Sequence, residues 1–196
     1  MKASLTFVSV LLLSLSSCLA QYEVYKSGNG VVLLSKRQAE FFTLDIPGDK
    51  IVPIGMDSAP HPYFTVDGRF LQVMPVLMDE FKGDQTASDE TVLKQHLEYE
   101  AKYYEEPVSA LHSEVRKLAS GQTALFWSFV PKQTPKEQVF MSFRANGCVV
   151  VLGSAVDGDF TKASDQEFLG KIAASFHSSD QPITLKFFPD GHYERR

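Results

Sequence analysis

Two tight-turn dipeptides, each set between apolar runs, limit most strongly what this chain folds into. Asn146-Gly147 separates Val139 to Ala145 from Cys148 to Val156, and Asp67-Gly68 separates Tyr63 to Val66 from Arg69 to Met78. Both dipeptides suit the positive φ angles of a type I′ hairpin, whose twist matches that of the strands it joins. Hairpins make antiparallel neighbours, so these strands predict an antiparallel sheet. Pro75 has no N–H to give a ladder, which places its arm at a sheet edge or on a bulge.

Further elements follow from periodicity. Val31 to Leu34 is a short apolar run, and Phe41 to Ile46 ends at the Pro47-Gly48 turn. Gly28-Asn29-Gly30 is too short to cradle a phosphate and predicts a flexible lead into the first strand. From Asp89 to Tyr104, Leu93, Leu97, Ala101 and Tyr104 recur at helical spacing, with Ser88 or Thr86 as cap and Pro107 as terminator. Val108 to Leu118 and Thr123 to Val130 predict two strands joined across Ser120-Gly121. Ser164 and Glu167 form a capping-box pair opening a helix with the stripe Phe168, Leu169, Ile172, Ala173, Phe176. Pro182 to Phe188 suits one more strand, ended by Pro189-Asp190-Gly191.

The N-terminus reads differently. Lys2, the apolar run Leu5 to Leu15 and Ser16-Ser17-Cys18-Leu19-Ala20 describe a secretory signal, too short to span a bilayer. Two processing routes stay open: cleavage after Ala20, or lipidation of Cys18 in a lipobox-like setting with removal of residues 1–17, which would tether the domain to a membrane. Residues 21–37 then form a lead segment, 38–188 a single domain and 189–196 a tail. A net charge of −5 without a Lys/Arg run excludes nucleic acid as a partner class, because phosphate neutralisation dominates such binding. Cys148 has no partner but Cys18, so no disulfide framework exists and the fold rests on its core.

Strands joined mostly by hairpins, with two helices between and after them, predict an α+β fold: a largely antiparallel sheet with helices packed on it as an α/β/α sandwich. The apolar strand ending at Pro47-Gly48, the mid-chain helix, the Gly121-to-Phe129 strand, the Asn146-Gly147 hairpin and the closing helix ending Ala174-Ser175-Phe176 together resemble the PsbP-like sandwich superfamily. The resemblance runs over about residues 38 to 178 and includes DcrB-like bacterial envelope proteins. It implies an accessory or binding protein and carries over no functional residue.

Candidate chemistry is thin. Asp157, Asp159, Thr161 and Asp165 fall at positions 1, 3, 5 and 9 of a calcium loop, but Lys162 stands where the turn needs Gly and Phe168 where a bidentate Glu belongs. Asp157-Gly158-Asp159 is therefore expected as a turn. His96 and Glu100, four apart on the helix, have metal-ligand spacing but no third ligand, so no metal and no cofactor are expected. Gly153-Ser154-Ala155 lacks the second glycine of a nucleophile elbow, and Cys148 begins a core run. No catalytic residue is assigned. Tyr99 and Tyr103, interleaved with Glu98 and Glu100, are the partner-binding candidates, since aromatics on a polar face anchor interfaces. Phe126 points away from Leu125, Trp127 and Phe129, beneath a helix. The chain thus reads as an exported, non-enzymatic envelope protein that binds a protein partner. The alternative is a secreted hydrolase whose carboxylate pair is assembled only by the fold.

Overall fold

The computed structural model describes residues 22–36, 41–54, 61–104, 111–132 and 136–196. In chain order the elements are β1 (Tyr22–Ser27), β2 (Gly30–Ser35), β3 (Phe41–Pro47), β4 (Ile51–Ile54), β5 (Tyr63–Val66), β6 (Arg69–Leu77), α1 (Asp89–Tyr103), β7 (His112–Lys117), β8 (Thr123–Phe129), β9 (Gln138–Ala145), β10 (Cys148–Ala155), α2 (Lys162–Ala174), β11 (His177–Ser179), β12 (Leu185–Phe187) and β13 (Tyr193–Arg195). A seven-stranded antiparallel sheet runs β4-β5-β6-β10-β9-β8-β7, and a four-stranded sheet runs β1-β2-β3-β11. The fold is α+β, as expected, with one helix packed on each face of the large sheet.

Each face of the large sheet has its own core. On one face Phe64, Leu71, Phe126, Met141, Phe143 and Val150 meet α2 and the inner residues of the small sheet, including Leu33, Phe42 and Leu44. On the other, Val149, Val151, Trp127, Phe129 and Phe140 meet Val92, Leu93, Leu97 and Ala101 of α1. Burial on both faces is why β8, with the sequence TALFWSF, shows no alternation: all its residues are buried. Phe126 does point away from Trp127, into the core beneath α2. At roughly 1.5–3 kcal/mol per large apolar side chain, each helix is fixed mainly by its buried stripe.

Caps set the helix starts. Ser88 accepts from Thr91 N at 3.3 Å, and Asp89 and Glu90 sit at the positive end of α1. The second helix departs from expectation, because it begins earlier. Thr161 is the cap, accepting from Ser164 N at 3.2 Å, while Ser164 Oγ accepts from Thr161 N at 3.0 Å. Ser164 closes a box opened by Thr161, and Glu167 pairs instead with Lys171 at 2.8 Å. Pro107 and Val108 lie outside the described residues, and the strand expected from Val108 is seen from His112.

Three further differences have clear physical causes. Residues 22–35, expected as a lead, pair as β1 and β2 across Gly28-Asn29, which is a hairpin turn. Gly30 has φ +149°, and a Cβ there would stand 2.2 Å from Ile46 O, so its glycine serves close approach to β3 and not flexibility. The expected tail holds β13, which pairs with β12. Pro75 lies inside the sheet: Val73 N donates to Pro62 O on the β5 side, so the missing Pro75 donor also faces that side, beyond the start of β5, and the ladder to β10 is spared. At Asp67-Gly68 both φ angles are positive, 49° and 87°. At Asn146-Gly147 only Asn146 is positive, at 41°, which is the sign pattern of a II′ turn.

Candidate functional site

His96 and Glu100 lie on the buried side of α1. The imidazole is fully enclosed and Nε2 stands 3.1 Å from Glu100 Oε1, but off the N–H direction, and neither ring nitrogen has a hydrogen-bond partner. The Phe81 ring meets the imidazole edge-on at 5.4 Å. Among the described residues no group of three His, Cys, Asp or Glu side chains converges, so the pair has no third ligand there. Cys18 lies outside the described residues.

The two tyrosines of α1 and the one that caps its end divide. Tyr99 packs against Phe81 and His96. Tyr104 caps the aromatic stack of the sheet, with its ring 4.8 Å from Phe129 and 6.2 Å from Phe140; Trp127 and Phe140 stack at 4.0 Å beneath it. Burial, aided by Glu100, Tyr103 and Tyr63, pushes the Tyr104 hydroxyl well above its ordinary value. Tyr103 is 72% exposed and touches Tyr104 edge-on at 5.2 Å.

Tyr104 also marks where the cover of the sheet ends. Register places Ile54, Tyr63, Gln72, Gly153, Phe140 and Trp127 in one row across six strands, on the face that α1 occupies. Trp127 and Phe140 lie under the helix. Ile54 and its neighbours Val52 and Phe70 are exposed, with Tyr63 against Phe70 at 5.7 Å. Val52, Ile54, Tyr63, Thr65, Phe70 and Gln72 include no charged group. The half of this face on β4, β5 and β6 therefore carries uncharged and aromatic side chains, and Tyr104, which Tyr103 touches, stands near enough to Tyr63 to be influenced by it. Its edge is blunt. Asp67 N donates to Lys50 O, so positions 50, 52 and 54 bond β5, and Pro53 turns its missing donor outward.

A groove of about 570 Å³ lies elsewhere, between the β1–β2 turn, the end of β3, Lys171 of α2 and the β12–β13 hairpin. Gly28 N donates to Gly191 O at 2.8 Å, a contact close enough that a Cβ on Gly191 would stand 2.9 Å from Gly28 Cα. The Arg195 guanidinium donates from Nε to Thr43 Oγ1 at 2.8 Å and from Nη2 to Tyr193 Oη at 2.6 Å, and Tyr193 donates to Asp45. Burial, then the bond to Asp45, raises the Tyr193 hydroxyl well above its ordinary value. Asp190 is held below the usual carboxylate range, chiefly by its hydrogen bond with His192.

Two other clusters look chemical and are structural. Lys162 Nζ donates to Ser128 Oγ at 2.6 Å and to Glu137 Oε1 at 2.7 Å. Ser128 is completely enclosed, so no substrate reaches it, and the ammonium ties the first turn of α2 to β8. Arg69 Nε stands 3.2 Å from the fully buried Asp165, with its guanidinium over the Phe160 ring at 4.3 Å. Asp157-Gly158-Asp159 forms a turn, closed by Phe160 N donating to Asp157 O at 3.2 Å. Sequence reasoning missed both clusters and the groove, since their members lie far apart in the chain. The one local signal is the Pro189-Asp190-Gly191 turn, which stands between Leu185 to Phe188 and Tyr193 to Arg195.

No family model and no curated protein matches the chain. Among solved structures, the solution structure of cyanobacterial PsbP (CyanoP) from Synechocystis sp. PCC 6803 is similar, with a TM-score of 0.47 and 12% identity over 90% of this chain and 98% of that one.

Proposed function

We propose that this chain is an exported, non-enzymatic accessory domain that docks a protein partner on the aromatic surface beside the end of α1. The observation that supports it best is the exposure of Tyr103, Val52, Ile54 and Phe70 around a sheet face without a charged group. Charge depletion with aromatic enrichment is the composition of an interface centre, and contiguous exposed apolar area on a monomer marks a contact site. Of the two tyrosines that stand out in the sequence, Tyr103 is the exposed one and reaches this surface through its contact with Tyr104, whereas Tyr99 packs on Phe81 and His96. Export rests on the leader-like residues 1–20, and a lipid at Cys18 would hold the domain to a membrane. Among the described residues no helix is long and apolar enough to cross a bilayer.

The hydrolase reading has one observation in its favour, the presence of Asp45 and Asp190 in one groove. A glycosidase-type pair needs one carboxyl held protonated near neutral pH. Here His192 holds Asp190 ionised, and Asp45 accepts a hydrogen bond from Tyr193. Both groups are set up as acceptors. The test is a double variant, Tyr103→Ser with Ile54→Ser, expressed in the native host. It should keep the wild-type melting temperature to within about 3 °C, as surface changes do, while the amount of the partner recovered with it falls about tenfold or more. Unchanged recovery of that partner would overturn the proposal.

A further inference from the structure

We infer that the groove between the β1–β2 turn and the β12–β13 hairpin is a binding site for a neutral, polyhydroxylated ligand of saccharide type. It is separate from the aromatic docking surface and does not depend on it. The first reason is construction. Thr43 is fully buried, and its hydroxyl accepts from Arg195 Nε at 2.8 Å, so a charged side chain at the groove is aimed by an anchor inside the fold. Tyr193 fixes a second guanidinium N–H and is itself fixed by Asp45. Close contact of Gly28 with Gly191 brings the two backbone turns together as one wall.

The second reason is charge. Lys171 and Arg195 stand against Asp45 and Asp190, so the formal charges on the wall cancel, with His192 counted neutral. Three of the four also have a polar partner in place: Lys171 pairs with Glu167 at 2.8 Å, Asp190 is hydrogen-bonded to His192, and Asp45 accepts from Tyr193. Facing a wall of balanced formal charge, an anion or a cation gains no net attraction, and burying either there is costly. A hydroxyl group gains more. It donates and accepts at once, and the wall presents both functions: carboxylates as acceptors, and the Lys171 ammonium, the Asn29 amide and a guanidinium held in place by Thr43 and Tyr193 as donors. A guanidinium with two of its five donors engaged keeps three for a ligand. The volume of about 570 Å³ lies within the range of small-ligand clefts and suits one or two sugar rings.

The experiment follows backbone amide NMR signals of the mature chain during titration with maltose, cellobiose, lactose and N,N′-diacetylchitobiose. Glycine and inorganic phosphate serve as the zwitterionic and anionic arms. Saturable shifts at Gly28, Asn29, Gly191 and His192 are expected for at least one disaccharide, with binding about tenfold weaker in Asp190→Ala and in Asn29→Ala. Tyr103→Ser should bind the sugar as wild type does, which separates this site from the docking surface. No saturable shift with any disaccharide at about 50 mM, well beyond millimolar affinity, overturns the inference. So does saturation at these residues by glycine or phosphate in place of sugar, or sugar binding indifferent to both variants.

Discussion

Replacing Gly30 by alanine would put a methyl carbon 2.2 Å from the Ile46 carbonyl oxygen, on a residue with φ of +149°. Two penalties combine. A side chain at such a φ costs about 1–3 kcal/mol, and relieving an overlap of this depth forces strands apart at a further cost of about 1–3 kcal/mol. Relief has no easy direction. Gly30 is paired with Pro47 across β2 and β3, and sliding the register by one residue would turn the buried Leu33 and Leu44 outward. The expected loss is about 4 kcal/mol, which for a chain of this size lowers the melting temperature by roughly 8–16 °C. Gly121 is the matched control, with φ of +84° and nothing within 4 Å of a Cβ placed on it. Gly121→Ala carries the backbone penalty alone, about 1 kcal/mol. Thermal unfolding followed by far-UV circular dichroism and by fluorescence of Trp127, the single tryptophan, measures both variants. Equal melting temperatures for the two would show that β2 does not press on β3 as described, and that residues 22–35 are a loose lead after all.

Other perturbations test the site and its supports. Tyr104→Ala should cost about 3–5 kcal/mol through loss of its packing on Phe129 and Phe140, whereas Tyr103→Ala should change stability by less than about 0.5 kcal/mol; chemical denaturation of the pair decides it. Burial lifts the Asp165 carboxyl above its ordinary value even though Arg69 stands 3.2 Å away. Its stabilising contribution is then fully present below the ordinary carboxylate value and is lost as pH rises through the raised one. Melting temperatures measured from about pH 3 to pH 6 should therefore move in favour of Asp165→Asn over wild type as pH rises, and a trend in the opposite direction would mean that Arg69 dominates. Glu137 behaves in the reverse sense. Burial opposes its charge, yet the hydrogen bonds from Lys162 and Ser128 hold it below the usual range, so its contribution is lost as pH falls and Glu137→Gln should flatten the acid limb of the stability curve.

Local chemistry was legible in the sequence wherever a few adjacent residues decide the outcome. Asp67-Gly68 and Asn146-Gly147 identified their hairpins, and Leu93, Leu97 and Ala101 identified the buried stripe of α1, because turn geometry and helical period act within a few residues. Errors arose where a distant segment changes what a residue means. Gly28 and Gly30 look like flexible punctuation until Gly191 and Ile46 are brought against them. Pro75 suggests an edge until the short reach of β5 leaves its donor side without a ladder. Ser164 could have been either the cap or the closing residue of a box, and Thr161 took the first role because its hydroxyl reaches Ser164 N. The groove was beyond local inspection, since Thr43, Asp45, Tyr193 and Arg195 converge only when the C-terminal hairpin folds across β3. In the sequence Tyr99 and Tyr103 look alike, as aromatics interleaved with Glu98 and Glu100 on a polar helix face. The structure separates them because one faces Phe81 and the other faces solvent.

Site-specific photo-crosslinking at the α1 terminus tests most directly whether the aromatic surface is where this domain meets its partner. Benzoylphenylalanine is placed at Tyr103 and at Phe70, and for comparison at Lys94 and Arg116 on exposed polar surfaces, in the full chain in its native host. One and the same discrete adduct from both Tyr103 and Phe70, absent from the other two positions and lost when Ile54→Ser is added, is the predicted result. An adduct from Lys94 or Arg116 with none from Tyr103 and Phe70 would contradict it and move the interaction to another face of the fold.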